Sequence, residues 1–212
     1  MIRALGTACL VFAALAARAS SASADTLKLF AEIDGGGLVG QGTTGDRVIK
    51  DSAFFAKAPH LAYGGLIGAE LLFLDVMVQH HQFTDGDRIA TWSQLGLAAH
   101  FQFDFGEPEQ QKAHEGGFFE IAGGGWVGLG TGQQVRPPLD NAQVTDKAVL
   151  VEARAGVGTH LSSVFDLGVQ VPVSWGLFFK NGNGAAINNA STHYQGIQAE
   201  GLVFLRANLR LL

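Results

Sequence analysis

Between Phe165 and Phe179 every second residue is large and apolar: Phe165, Leu167, Val169, Val171, Val173, Trp175, Leu177 and Phe179. The intervening positions include Asp166, Gln170 and Ser174. Side chains of a β-strand point alternately to opposite faces, so this segment has one apolar face and one polar face. It is far longer than the roughly 5–6 residues of an ordinary strand. An apolar face of that length needs a hydrocarbon-like partner along all of it.

The same alternation recurs along the chain. From Ser93 to Phe105 one parity reads Leu95, Leu97, Ala99, Phe101, Phe103, Phe105, and the other Gln94, Gly96, Ala98, His100, Gln102, Asp104. The pattern predicts eight strands, near 27–40, 60–72, 74–83, 89–105, 117–130, 148–161, 165–179 and 194–211. Most cover the roughly 9–11 tilted residues a strand needs to cross a bilayer. Short turns are expected at Leu72-Phe73 and Ser162-Ser163, with a longer one over Gly106–Gly116. Longer polar connections fall at Gln41–Pro59, Thr131–Lys147 and Lys180–His193, with a short one at Thr84–Arg88. Pro172 removes one ladder hydrogen bond, which predicts a bulge there.

Leu61–Val78 is almost continuously apolar and competes as a membrane helix. Glu70 and Asp75 would then sit in hydrocarbon, at about 2.5–3.5 kcal/mol each on insertion scales. Gly64, Gly65 and Gly68 also disfavour a helix. Two strands about a tight turn account for the run better. The 29 glycines exceed the roughly 7% of ordinary domains, and they sit inside alternating segments such as Gly123–Leu129, where close neighbours and strong curvature suit them.

The first residues read as an export signal. Arg3 is basic, Ala4–Ala17 is apolar, and Ala22-Ser23-Ala24 is a small-x-small cleavage site, so residues 1–24 are expected to be removed. This takes Arg3 and Arg18 from the 14 basic residues and none of the 19 acids, moving the net charge from −5 to −7. The remaining chain, 25–212, is expected to be one domain, with no basic surface for nucleic acid. Cys9, the single cysteine, lies inside the signal, so disulfide and thiolate chemistry are excluded from the mature chain.

An exported chain of long alternating strands with short turns and polar loops reads as an all-β, antiparallel, up-and-down transmembrane β-barrel. On these features the chain resembles the small eight-stranded outer-membrane barrels of Gram-negative bacteria, typified by the OmpA transmembrane domain and the OmpX and OmpW groups. The resemblance covers nearly the whole mature sequence and is one of architecture. It departs from the family in ending Leu209-Arg210-Leu211-Leu212, where an aromatic is usual. It implies outer-membrane localisation, a monomer in contact with outer-membrane lipid, and outer loops available to an extracellular ligand. A structural or surface-interaction role is the leading expectation. The alternatives are a narrow channel for small or hydrophobic solutes, a barrel-embedded lipid-modifying enzyme, and a soluble periplasmic lipocalin-like barrel with its apolar face inward.

Candidate chemistry is sparse, and no catalytic, cofactor or metal residue is assigned. His80-His81 cannot chelate one ion together, because neighbours on a strand face opposite ways, and the pair is placed at a barrel rim. Ser191-Thr192-His193 brings together the residue types of a lipid A deacylase or acyltransferase, but its order reverses the deacylase pattern. Trp175 is a candidate for an interfacial girdle, whereas Trp92 and Trp126 fall on the polar parity. The lumen is expected to carry Glu32, Glu152, Arg154, Glu200 and Arg206. Counting from the periplasmic ends puts Glu32 opposite Arg206 once the first and last strands pair, and a charge network of these residues would plug the barrel.

Overall fold

The computed structural model describes residues 27–44, 47–49, 60–84, 88–107, 115–134, 144–181 and 193–211. The expected export signal, and much of each longer connection, lie outside these residues. The strands are β1 (Leu27–Thr44), β2 (Arg47–Ile49), β3 (His60–Leu71), β4 (Leu74–Thr84), β5 (Arg88–Phe105), β6 (Gly116–Gln134), β7 (Val144–His160), β8 (Phe165–Asn181) and β9 (His193–Arg210). Strand β2 is a short hairpin partner to the end of β1, pairing Gly42 with Ile49 through Thr44 with Arg47. The other eight form the barrel, each antiparallel to the next, and β1 closes the ring on β9. Closure runs from Lys28↔Arg210 to Thr43↔Gln195. Among the described residues it leaves none of the eight barrel strands as an open sheet edge, which a strand-built protein in hydrocarbon requires.

Eight strands, an even number, return the chain to its starting side, so Leu27 and Arg210 lie at one end with the turns Leu72–Phe73 and 161–164. Short turns mark the periplasmic end of such barrels. The β3–β4 connection is the tight turn the glycines and acids of Leu61–Val78 call for, with Leu72 in the left-handed region at φ 61°. At the second turn Ser162 Oγ accepts from the backbone N–H of Val164 and Phe165, at 3.2 and 3.1 Å.

Pro172 makes no bulge. Pairing of β8 with β9 lapses at Val171 and Pro172, but the offset is identical on both sides, Gln170↔Leu202 before and Val173↔Ala199 after. Arg154↔Pro172 pairing with β7 is uninterrupted. The proline therefore removes a donor on the β9 side only, and the flanking ladder holds the register.

Polarity decides the environment. All eight apolar residues of the Phe165–Phe179 stripe are exposed on the outside of the barrel, as are Leu97, Val151, Val203 and Leu209. The interior holds Glu32, Glu120, Asp166, Arg206, Gln170 and His81, each buried. This inverts a soluble barrel, so the lipocalin-like alternative is ruled out and the outer face is matched to lipid. The protein is an outer-membrane β-barrel. Its periplasmic end carries phenylalanines on the outer face, with Phe73 stacked on Phe101 at 6.0 Å and Phe103 on Phe119 at 6.2 Å. Aromatic belts of this kind sit at the membrane–water boundary. Trp175 also faces outward, and Trp92 and Trp126 face inward.

Candidate functional site: the charged lumen

Every second residue of each barrel strand points into the lumen, so the interior is assembled from one parity of eight strands. At its centre is Arg206. Its Nε donates to Glu32 Oε2 at 2.8 Å, from the directly paired position on β1. Its Nη1 and Nη2 donate to Glu120 Oε2 and Oε1 at 2.7 and 2.9 Å, from β6 on the far side of the ring. Gln170 Nε2 donates to Glu32 Oε1 at 2.6 Å. The guanidinium also lies over the Phe204 ring, 4.7 Å from its centroid. A planar guanidinium suits this task because its donors form a fixed fork that binds a carboxylate bidentately.

The remaining sequence-derived residues lie in the same lumen but make separate contacts. Arg154 Nη2 donates to Glu152 Oε1 at 2.9 Å, two residues apart on the inner face of β7. Glu200 Oε2 lies 3.3 Å from His81 Nδ1, and Asp34 Oδ2 lies 3.0 Å from His81 Nε2. His81 is fully buried inside the barrel and not at a rim, while His80 faces outward and meets Ser93 Oγ at 2.7 Å. Of the Ser191-Thr192-His193 segment, Ser191 and Thr192 and the His193 side chain fall outside the described residues.

Three further polar groups lie in the described interior. Toward the periplasm, His160 Nδ1 lies 2.6 Å from Asp166 Oδ1, whose Oδ2 accepts from Asn208 Nδ2 at 2.6 Å. Beside the Leu72–Phe73 turn, His100 Nδ1 lies 3.4 Å from Glu70 Oε2 and 3.3 Å from Asp75 Oδ2, and Lys28 Nζ pairs with Glu70. His100 Nε2 lies 3.4 Å from Glu120 Oε2, which links this group to Arg206. Toward the extracellular end, Trp92 Nε1 donates to Gln94 Oε1 at 2.6 Å, and Gln94 Nε2 donates to Gln79 Oε1 at 2.8 Å. Above them Leu38, Phe83, Ala90, Leu150 and Phe178 are buried together, with Trp92 and Phe178 rings 5.7 Å apart. The cavity among Glu32, Glu70, His100, Trp126, Arg154 and Arg206 measures about 20 Å³, room for about one water.

Glu120 falls on the polar parity of its strand, but nothing in the local sequence joins it to Arg206. Which lumen residues meet across a barrel depends on the stagger of the closed ring, and no local spacing encodes it. His81, His100 and His160 are missed for the same reason. Their partners come from other strands, His160's from β5 (Asp104) and, past the turn, β8 (Asp166).

Comparison with known proteins agrees with the fold. No protein-family model matches the sequence, and no curated protein matches it. Among solved structures it is similar to Neisserial surface protein A, at 11% identity and TM-score 0.52, covering 84% of this chain and 96% of that one. It also aligns with the N-terminal β-barrel domain of Pseudomonas aeruginosa OprF, at 11% identity and TM-score 0.47, covering 86% and 97%. Ail, the attachment invasion locus protein of Yersinia pestis, aligns at 9% identity and TM-score 0.34, covering 83% and 97%. At such identities the likeness to Neisserial surface protein A speaks to the fold alone.

Proposed function

We propose that this protein is a monomeric outer-membrane barrel with a structural or surface-interaction role, its lumen sealed by its own side chains and its outer loops free to meet an extracellular ligand. One observation carries the reading: Arg206 ties β9 to neighbouring β1 by one charge-assisted hydrogen bond and, across the lumen, to β6 by two more. Buried charges are kept only when paired and hydrogen-bonded, and breaking such a set costs several kcal/mol. A conduit routed past this clamp would have to break it. The apolar layer of Leu38, Leu150 and Phe178 supports a second seal toward the extracellular end. Liposome swelling tests the reading. Vesicles holding the folded protein should swell in small sugars and amino acids no faster than empty vesicles, and faster swelling overturns the seal.

A second reading rests on His80 and Ser93. These residues are directly paired on β4 and β5, point outward, and hold Ser93 Oγ 2.7 Å from His80 Nδ1. A serine hydroxyl against an imidazole is the beginning of an acyl-transfer site, and its outward placement gives it lipid as substrate. It ranks second because no described carboxylate orients His80. Mass spectra of membrane lipids from cells making the wild type and Ser93→Ala decide it: an acyl chain removed only by the wild type would favour the enzyme.

A further inference from the structure

Glu70 and Asp75 occupy directly opposed positions on β3 and β4, two residues before and two after the Leu72–Phe73 turn. Both face the lumen. Like charges directly opposite one another on a sheet repel, and burial in a low-dielectric interior sharpens the repulsion. Glu70 has Lys28, its cross-strand partner on β1. Among the described residues Asp75 meets no lysine or arginine. Its side chain is only 7% exposed, its Oδ1 has no hydrogen-bond partner among the described residues, and its Oδ2 faces His100 Nδ1, its one partner of opposite charge.

The third member is His100, on β5. Its Nδ1 lies 3.4 Å from Glu70 Oε2 and 3.3 Å from Asp75 Oδ2, and the three donor atoms all fall within 4.8 Å of one another. Donors bound at about 2.0–2.1 Å around a tetrahedral zinc ion stand about 3.3 Å apart. The two distances from His100 match edges of such a site, and the third lies within reach of it. The other ring nitrogen, Nε2, lies 3.4 Å from Glu120 Oε2. A carboxylate at the far nitrogen is the usual outer-sphere partner of a metal-bound histidine, fixing the tautomer that leaves the near nitrogen free to coordinate. Glu120 is in turn held by Arg206. All three donors line the small lumen cavity, which has room for about one water as a fourth ligand.

We propose that Glu70, Asp75 and His100 form a binding site for a divalent transition-metal ion of the zinc type, inside the barrel near its periplasmic end. The imidazole selects against the hard ions that prefer oxygen alone, and the two carboxylates supply charge neutralisation. Lys28 Nζ shares Glu70 Oε2 with the site, so binding moves the ammonium onto the other carboxylate oxygen and leaves it in the outer sphere. The ion would staple β3, β4 and β5 and relieve the Glu70–Asp75 opposition. The inference does not depend on the sealed lumen, because a conducting barrel could hold the same ion.

The test uses the folded mature chain in detergent, stripped with chelator, desalted and titrated with Zn²⁺ or Co²⁺. One equivalent of Zn²⁺ should bind, with a rise in unfolding temperature, and Co²⁺ should give the strong visible bands of four-coordination. Asp75→Asn and His100→Gln should each weaken binding by about tenfold or more, whereas His114→Gln, which falls between β5 and β6 in the sequence, should not. Heat-dependent gel mobility verifies that each variant is folded. If Asp75→Asn does not fold, the wild-type Co²⁺ spectrum still decides. Six-coordinate, aqua-like Co²⁺, binding without saturation at one equivalent, or equal binding by folded His100→Gln overturns the site.

Discussion

Arg206 on β9 and Glu120 on β6 face each other across the lumen through two parallel hydrogen bonds of 2.7 and 2.9 Å. Neither strand is next to the other in the sheet. The contact therefore fixes the barrel's cross-section, a distance that the backbone ladder constrains only indirectly. Glu32, on the strand paired with β9, shares the same guanidinium.

Arg206→Ala should destabilise the barrel by about 3–5 kcal/mol, because it strands two buried carboxylates. The measurement is the urea midpoint of folded protein in detergent, read by gel mobility. Adding Glu120→Gln should recover part of the loss by removing one stranded charge. Arg206→Lys should recover less than the native arginine, since an ammonium cannot hold Glu120 bidentately while reaching Glu32. An unchanged midpoint in Arg206→Ala would contradict the clamp.

Two glycines should respond oppositely to alanine. A Cβ at Gly96 would lie 2.1 Å from the Trp126 ring, whereas one at Gly201 meets nothing within 4 Å. Gly96→Ala should cost about 1–3 kcal/mol through overpacking of the lumen. Gly201→Ala should be close to neutral in the same urea titration.

On the outer face, arginine at Val169 or Val173 should impair assembly by about 2–4 kcal/mol, the range for a cation near the bilayer midplane. Arginine at Leu161, exposed in the periplasmic bend, should cost about 0–1 kcal/mol. Folding yields into lipid vesicles read the difference, and equal yields would count against the membrane placement.

Asp166 accepts from Asn208 and contacts His160 on β7. Asp166→Ala removes an acceptor that both need, and leaving a buried donor unmet costs about 1–3 kcal/mol. Asp166→Asn retains one carbonyl acceptor and should lose less. The urea midpoints should rank wild type above Asp166→Asn above Asp166→Ala.

Strand positions and facing were legible in the sequence because period-two alternation is a local signal. Val169 and Gln170 sort to opposite faces from their parity alone. The Glu32↔Arg206 register was also accessible, since counting from two chain ends needs only the closing pair. Glu120 and His100 are different. Their partners are set by the three-dimensional stagger of the ring, and the spacing from Glu120 to Arg206 carries no trace of it. His81 shows a related limit: its polar type suggested a rim, but Asp34 and Glu200 make the interior hospitable to it. At Pro172 a local rule overreached, because the neighbouring ladder outweighed one missing donor. Phe101 and Phe103 sort to the outer face by parity, but their stacking on Phe73 and Phe119 depends on strand register that the local pattern does not encode.

Single-channel recording in planar lipid bilayers addresses the sealed lumen most directly. Wild-type protein should leave the membrane silent, and small conductance steps should appear once Arg206→Ala opens the clamp. Reproducible steps from folded wild-type protein, unchanged by Arg206→Ala, would contradict the seal.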